Sequence, residues 1–292
     1  MPQIKLAYFI LCHKAPEHVI RLINRLGAED SFFVVHVDKR AASGVFETLR
    51  KFANGRPEVY FSKRHRCYWG RFGIVRGTIS CIQAAIQLEI PFDYAFLLSG
   101  QDYPIKTIAQ IKALISRKPG CQFIETFPLD EPNRWSHDGP PGNSTNRVYF
   151  WTIWFRSRFV QIKGKRKFPL GYRPYGGSQW WCLTKDCVTY LDTFIRNHSS
   201  FVRYFKMVFV PDEMFFQSIL ANSSYREKIE SDDLRYADWQ NPNPLSPKTL
   251  ETSDFENLKL SPKLFARKFD TNRSRDLLIK IDDEIFAMDN SA

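Results

Sequence analysis

The chain predicts an α/β fold: a mostly parallel sheet with helices on both faces. Three observations carry this expectation. Short apolar runs alternate with stretches of helical periodicity through the first 125 residues. Several of the runs are apolar throughout, as buried strands are. Polar, charge-bearing residues then close the runs, at the strand ends where such sheets hold their ligands.

Taken in order, residues 4–11 form a first buried strand, and Pro16 opens a helix through Val19, Leu22, Ile23 and Leu26. Residues 32–37 are a second strand, and a short helix with Val45, Leu49 and Phe52 precedes a third at 59–61. Residues 72–89 carry Ile74, Val75, Thr78, Ile79, Ile82, Ala85 and Ile86, the spacing of one helical face. A strand at 94–98, a helix at 108–115 and a strand at 122–125 follow. From 128 to 174 the alternation stops in a stretch rich in Pro, Gly, Asn and Arg. It holds the aromatic run 149–155 and then Arg156, Arg158, Lys163, Lys165, Arg166 and Lys167. Order resumes with a strand at 179–183, helices at 185–195 and 212–221, and a strand at 234–237. Beyond residue 240 a Pro-rich connection leads to the segment 265–270 and a terminal helix. With no internal repeat, residues 1–292 are expected to form one domain, interrupted by an irregular basic–aromatic insertion around 128–174.

At 43% hydrophobic and 25% charged residues the chain can bury a sizeable core. Its net charge of +11 implies an anionic partner: nucleic acid, a phosphorylated ligand or acidic lipid. No run approaches the ~20 apolar residues that span a bilayer. Residues 6–12 are expected to be a strand and not a signal core, since no small-residue cleavage site follows. The six cysteines (12, 67, 81, 121, 182, 187) show neither CxxC nor zinc spacing, and are expected to be reduced thiols in a cytoplasmic protein. The N-x-S/T triplets at Asn143, Asn197, Asn222 and Asn272 are expected to be chance matches.

Three strand ends carry candidate groups: Asp38-Lys39-Arg40, Ser99-Gly100-Gln101-Asp102 and Thr184-Lys185. One polar residue closing a strand is usually a turn former, but three on one sheet edge predict a site. Glu213, in Pro211-Asp212-Glu213, is expected in the first turn of a helix, where the dipole favours a carboxylate. It is there either as plain helix-start electrostatics or as an ionised general base, and composition does not separate the two. Arg267 and Lys268 sit in an apolar frame and need an anionic partner. Neither GxGxxG, GxxxxGK[ST] nor Asp-x-Asp occurs. A diphosphate leaving group would therefore be neutralised by Arg267 and Lys268, with no metal and no other cofactor expected.

The set Asp38-Lys39-Arg40, Trp69-Gly70, Ser99-Gly100-Gln101-Asp102-Tyr103-Pro104-Ile105, Gly177-Ser178-Gln179-Trp180, Pro211-Asp212-Glu213 and Phe265-Ala266-Arg267-Lys268-Phe269, in this order, resembles the Core-2/I-branching enzyme family. That family holds β-1,6-N-acetylglucosaminyltransferases and peptide O-xylosyltransferases, and the resemblance spans residues 4 to 270. It implies a modified GT-A (Rossmann-like) fold and a metal-independent, inverting transfer from a UDP-sugar to a glycan or protein acceptor. By position it implies Glu213 as catalytic base, Arg267 and Lys268 on the donor diphosphate, and Asp38 and Arg40 on the uridine with Trp69 nearby. Asp102, Gln179 and Trp180 are expected in the donor and acceptor pocket. Gln179 falls where xylosyltransferases carry an Asp, whereas Arg267-Lys268 and Trp180 lean toward that branch. Animal members are Golgi-anchored and carry disulfides; this chain is expected to be a cytoplasmic, bacterial-type relative.

A competing reading is a glycan- or nucleic-acid-binding protein without catalysis. The nucleic-acid form rests on net charge and the 156–167 run alone, with no helix-turn-helix, zinc finger or RNA-recognition pattern, so no nucleic-acid partner is expected. The insertion has three readings: a core strand followed by a solvated basic loop, a peripheral contact with an anionic membrane, or a groove for an acidic glycan.

Overall fold

A seven-stranded sheet divides the core into two layers, because its central strands are apolar on both faces. The structure is a computed structural model describing residues 4–137, 143–156, 158–164, 166–240 and 246–286. In chain order the elements are β1 (Leu6–Cys12), α1 (Pro16–Leu26), β2 (Ser31–Val37), α2 (Ser43–Ala53), β3 (Val59–Phe61), α3 (Gly73–Gln87), β4 (Tyr94–Ser99) and β5 (Asp102–Pro104). Then come α4 (Ile108–Arg117), β6 (Gln122–Ile124), β7 (Phe127–Pro128), α5 (Ser144–Tyr149), β8 (Trp151–Phe155), β9 (Arg158–Ile162), β10 (Tyr175–Gly176) and β11 (Trp181–Thr184). The rest are α6 (Lys185–Asn197), α7 (Ser199–Phe205), α8 (Phe215–Leu220), β12 (Ile229–Glu230), β13 (Arg235–Ala237), α9 (Phe255–Leu260), β14 (Phe265–Arg267) and α10 (Arg275–Ile285).

The main sheet has the order β12-β6-β11-β4-β1-β2-β3. Its pairings are parallel except around β11, which runs antiparallel to both β4 and β6. The expected α/β class is therefore present, with one reversed strand. Along β1 the side chains alternate between layers: Leu6, Tyr8 and Ile10 join one core, Ala7 and Phe9 the other. The first layer is closed by α1, α2, α4, α9 and α10, the second by α3, α6, α7 and α8. Local signals set the helix ends. Pro16 occupies the first turn of α1, and Thr107 and Gln110 close a reciprocal capping box on α4.

A three-stranded sheet, β13-β14-β5, brings the tail back to the middle of the chain. Its antiparallel β14–β5 register sets Arg267 opposite Asp102.

Three expectations are corrected. Because β11 is reversed, Thr184 lies opposite Tyr94 at the start of β4, on the other edge from Asp38 and Asp102. Its hydroxyl accepts from the Cys187 N–H at 3.3 Å and caps α6, so Thr184-Lys185 is not part of the site edge. The helix at 212–221 is broken: Pro211–Glu213 is a single 3-10 turn, Met214 leaves helical geometry at φ −140°, and α8 starts at Phe215. Glu213 thus precedes the helix and does not lie in its first turn. Within the insertion, β8 and β9 form a hairpin. Arg166 is buried there against Tyr204 and is not part of a solvated run, whereas Lys165 lies outside the described residues.

All six cysteines are unpaired. Among the described residues no helix is long and apolar enough to cross a membrane.

Candidate active site

Parallel β1, β2 and β4 deliver their carboxyl ends to one edge. At the end of β2, the buried Asp38 carboxylate accepts from the backbone N–H groups of Arg40 (2.8 Å) and Cys67 (3.2 Å). Arg40 donates to the Cys67 carbonyl at 3.0 Å, and its guanidinium lies 3.9 Å over the Tyr68 ring. Asp38 and Arg40 thus fold the loop after β2 onto the segment leading to α3. Trp69 on that segment is half exposed and meets Phe209 edge-on at 5.8 Å.

His13 and Lys14 close β1 on the same edge. Burial lowers the His13 pKa, reinforced by Lys14 and Arg40 and opposed by Asp38. Lys14 reaches Asp270 at 3.9 Å, so the β1 end touches the tail motif.

The elbow after β4 is held by Asp102, which is fully buried. Its Oδ2 accepts from the Ser99 N–H at 2.9 Å and from Arg235 Nε at 3.0 Å, while Oδ1 lies 3.6 Å from Arg267 Nε. Trp180, also buried, carries Arg267 on its ring at 4.5 Å and Arg235 at 5.1 Å. Burial depresses the Arg267 pKa, and Asp102 opposes it. Lys268 donates to the Ser246 hydroxyl. Burial, and after it the Arg267 charge, lowers the Lys268 pKa. Two adjacent cations held in a partly dry setting favour an anion between them.

Glu213 is near enough to Arg267 for its charge to act on that guanidinium. Its carboxylate accepts from Arg147 Nη1 at 2.9 Å, and Arg147 lies 4.0 Å over the Trp135 ring. The Glu213 carbonyl accepts from the Gly177 N–H at 2.9 Å, which ties its turn to the segment between β10 and β11 that carries Gln179 and Trp180. Gly177 cannot carry a side chain, because a Cβ there would sit 1.8 Å from the Glu125 carbonyl oxygen. Asp212 is buried, and desolvation followed by the Glu213 charge pushes its carboxyl up to about 7. The two halves of the edge are electrostatically continuous. The Glu213 charge acts on Arg267, and both Asp38 and Asp212 act on the Cys67 thiol, which burial pushes up to about 12.

One edge therefore gathers Asp38, Arg40, Trp69, Asp102, Gln179, Trp180, Glu213, Arg267 and Lys268. Of these, Asp102 and Trp180 are buried supports for Arg267 and not open walls, while Gln179 is half-buried. Sequence reasoning named Asp212 only within its motif, without a role, and missed His13, Lys14, Arg235 and Arg147. His13-Lys14 closes an apolar strand just as Asp38 does, and Arg235 stands at the head of an expected strand, so both were readable. Arg147 lies in the irregular insertion and carries no local signal. Among the described residues no group of three or more His, Cys, Asp or Glu is placed to hold a metal ion.

The chain is similar to known proteins over nearly its whole length. Xylosyltransferase 2 of Canis lupus familiaris is 26% identical over 317 residues, covering 98% of this chain and 34% of its own length. Xylosyltransferase 1 of Homo sapiens is 23% identical over 303 residues, covering 96% of this chain and 30% of its own. The chain spans about a third of the length of the curated relatives it matches. The family described as Core-2/I-Branching enzyme matches residues 6–262, from the first strand to the threshold of the Arg267-Lys268 motif, and the chain belongs to that family.

Proposed function

We propose that the chain is a metal-independent, inverting glycosyltransferase. It moves a sugar of the xylose or N-acetylglucosamine class from a UDP-sugar to a hydroxyl of a glycan or protein acceptor. The observation that carries this reading is the placement of the Glu213 carboxylate within electrostatic reach of the Arg267 guanidinium, whose neighbour in the chain is a second cation, Lys268.

In this reaction the acceptor oxygen attacks the anomeric carbon as its proton passes to Glu213. A C–O bond forms on one face of the sugar while the bond to the diphosphate breaks on the other, and the leaving electron pair ends on UDP. Arg267 and Lys268 take up the charge that develops there, a role that Mg²⁺ or Mn²⁺ fills elsewhere. Arg147 orients Glu213, and Asp102 with Trp180 fixes the Arg267 guanidinium. Asp38 and Arg40 shape the loop assigned to the uridine.

The match to xylosyltransferases, together with Trp180 and the Arg-Lys pair, puts UDP-xylose first among donors to try. The test is a panel of UDP-sugars assayed by UDP release with wild-type protein and Glu213→Gln. Turnover of one donor that the variant loses supports the reading. Equal, background release from all donors in both proteins would sink it.

A further inference from the structure

The β8–β9 hairpin has one face packed and one face bare. On the packed face, Phe209 meets Trp154 in a stack at 6.2 Å and Phe159 at 4.9 Å, while the Thr152 N–H bonds the Met207 carbonyl at 2.9 Å. On the other face the register pairs Trp151 with Ile162 and Ile153 with Val160, and Phe155 stands beside them opposite Arg158. All five apolar side chains are exposed, Phe155 by 74% and Val160 by 62%. A strand face is apolar when it has something to bury against; here the Arg166 guanidinium lies 4.4 Å over the Trp151 ring, yet each of the five side chains keeps more than two fifths of its surface exposed.

The surroundings say what fits. From Asn143 to Lys185 the sequence contains no Asp or Glu and nine Lys and Arg. Arg156, Arg158, Lys163 and Lys167 rim the hairpin and are exposed. At its root a cavity of about 380 Å³ is lined by Arg66, Arg71, Arg76 and Lys206 together with Tyr68 and Trp154. The buried Arg71 Nε, in a guanidinium held between Tyr68 and Trp154, has no hydrogen-bond partner among the described residues. A second copy of the chain would bring like charges together around the patch. A sugar would find no hydrogen-bonding group among the aliphatic side chains and the phenyl ring that make up most of the bare face.

We propose that the hairpin docks the protein on an anionic lipid bilayer. The face of Trp151, Ile153, Phe155, Val160 and Ile162 enters the headgroup–acyl boundary, and the cationic rim and cavity meet the lipid phosphates. The docking does not depend on the transfer chemistry proposed above.

The experiment is co-sedimentation of the full chain with phosphatidylcholine vesicles and with vesicles containing phosphatidylglycerol, at low and high salt. Expected are binding to the anionic vesicles alone, weakening with salt, and about a fivefold loss of affinity for each of Arg158→Ala and Lys163→Ala. Phe155→Ser with Val160→Ser should abolish binding while leaving the circular dichroism and melting temperature unchanged, since both side chains are exposed. Any of three results overturns the proposal: no binding to either vesicle, binding that the Phe155/Val160 variant retains, or a dimer in solution that the same variant dissociates.

Discussion

Asp102 and Arg267 face each other across the β5–β14 pairing, with Oδ1 and Nε 3.6 Å apart, although 165 residues separate them in sequence. The other Asp102 oxygen holds Arg235 at 3.0 Å, so one buried carboxylate supports two guanidiniums. The two partners should respond differently to mutation. Asp102→Ala leaves Arg235 buried without its counter-charge and should cost ~3–5 kcal/mol in denaturant unfolding. Arg267→Ala removes the half of the pair that reaches the site. It should melt near wild type while transfer falls on the order of 10²-fold. Equal stability losses in both variants would make Arg267 a structural residue.

Transfer should survive a chelator. If side-chain cations carry the leaving diphosphate, EDTA leaves turnover unchanged, and Lys268→Ala lowers it on the order of 10²-fold. Activity that EDTA removes and Mn²⁺ restores would contradict the assignment.

Glu213→Gln keeps the shape of the side chain but cannot accept a proton. UDP binding by calorimetry should be unchanged, with transfer down ~10²–10⁴-fold. The anomeric configuration of the product, read by NMR, should be inverted. Retention at the new linkage would require a second displacement and remove Glu213 from the role of sole base.

Asp212 should make stability depend on pH. Its carboxyl titrates at about 7 in the folded chain against an ordinary 3.8, so between those values the folded state holds a proton that the unfolded state has released. Stability therefore falls as pH rises through that window and levels off above it. Asp212→Asn removes the cost of burying the ionised group. Its melting temperature should exceed wild type well above pH 7, by the equivalent of a few kcal/mol at most, and converge with wild type near pH 4. Parallel curves would mean that Asp212 is paired in solution.

UDP alone should stabilise the fold, by about 2.7 kcal/mol at a hundredfold excess over its dissociation constant. Arg40→Ala should weaken that stabilisation while costing the free protein little, because the Arg40 side chain is nearly half exposed and lies over the exposed Tyr68 ring. A protein that ignores UDP but binds DNA with a steep salt dependence would belong to the nucleic-acid reading.

The layers of this fold are legible because they rest on local chemistry. Apolar runs such as 94–98, the Pro16 start of α1 and the one-faced apolar spacing of α3 all follow from periodicity and capping, which need no distant partner. The motifs that end these runs could likewise be found by position. The tertiary structure alone decided the direction of β11, which moved Thr184 to the far edge and left Gln179 and Trp180 at the near one. Strand direction depends on which edge the chain returns to, and no local pattern encodes that. It also decided that Glu213 sits in a 3-10 turn facing Arg147, that Asp102 lies under Arg267, and that one face of the 151–162 hairpin stays bare. Each of these is a meeting of segments tens of residues or more apart, or the lack of one, set by packing across the whole sheet and not by the preferences of any short stretch of sequence.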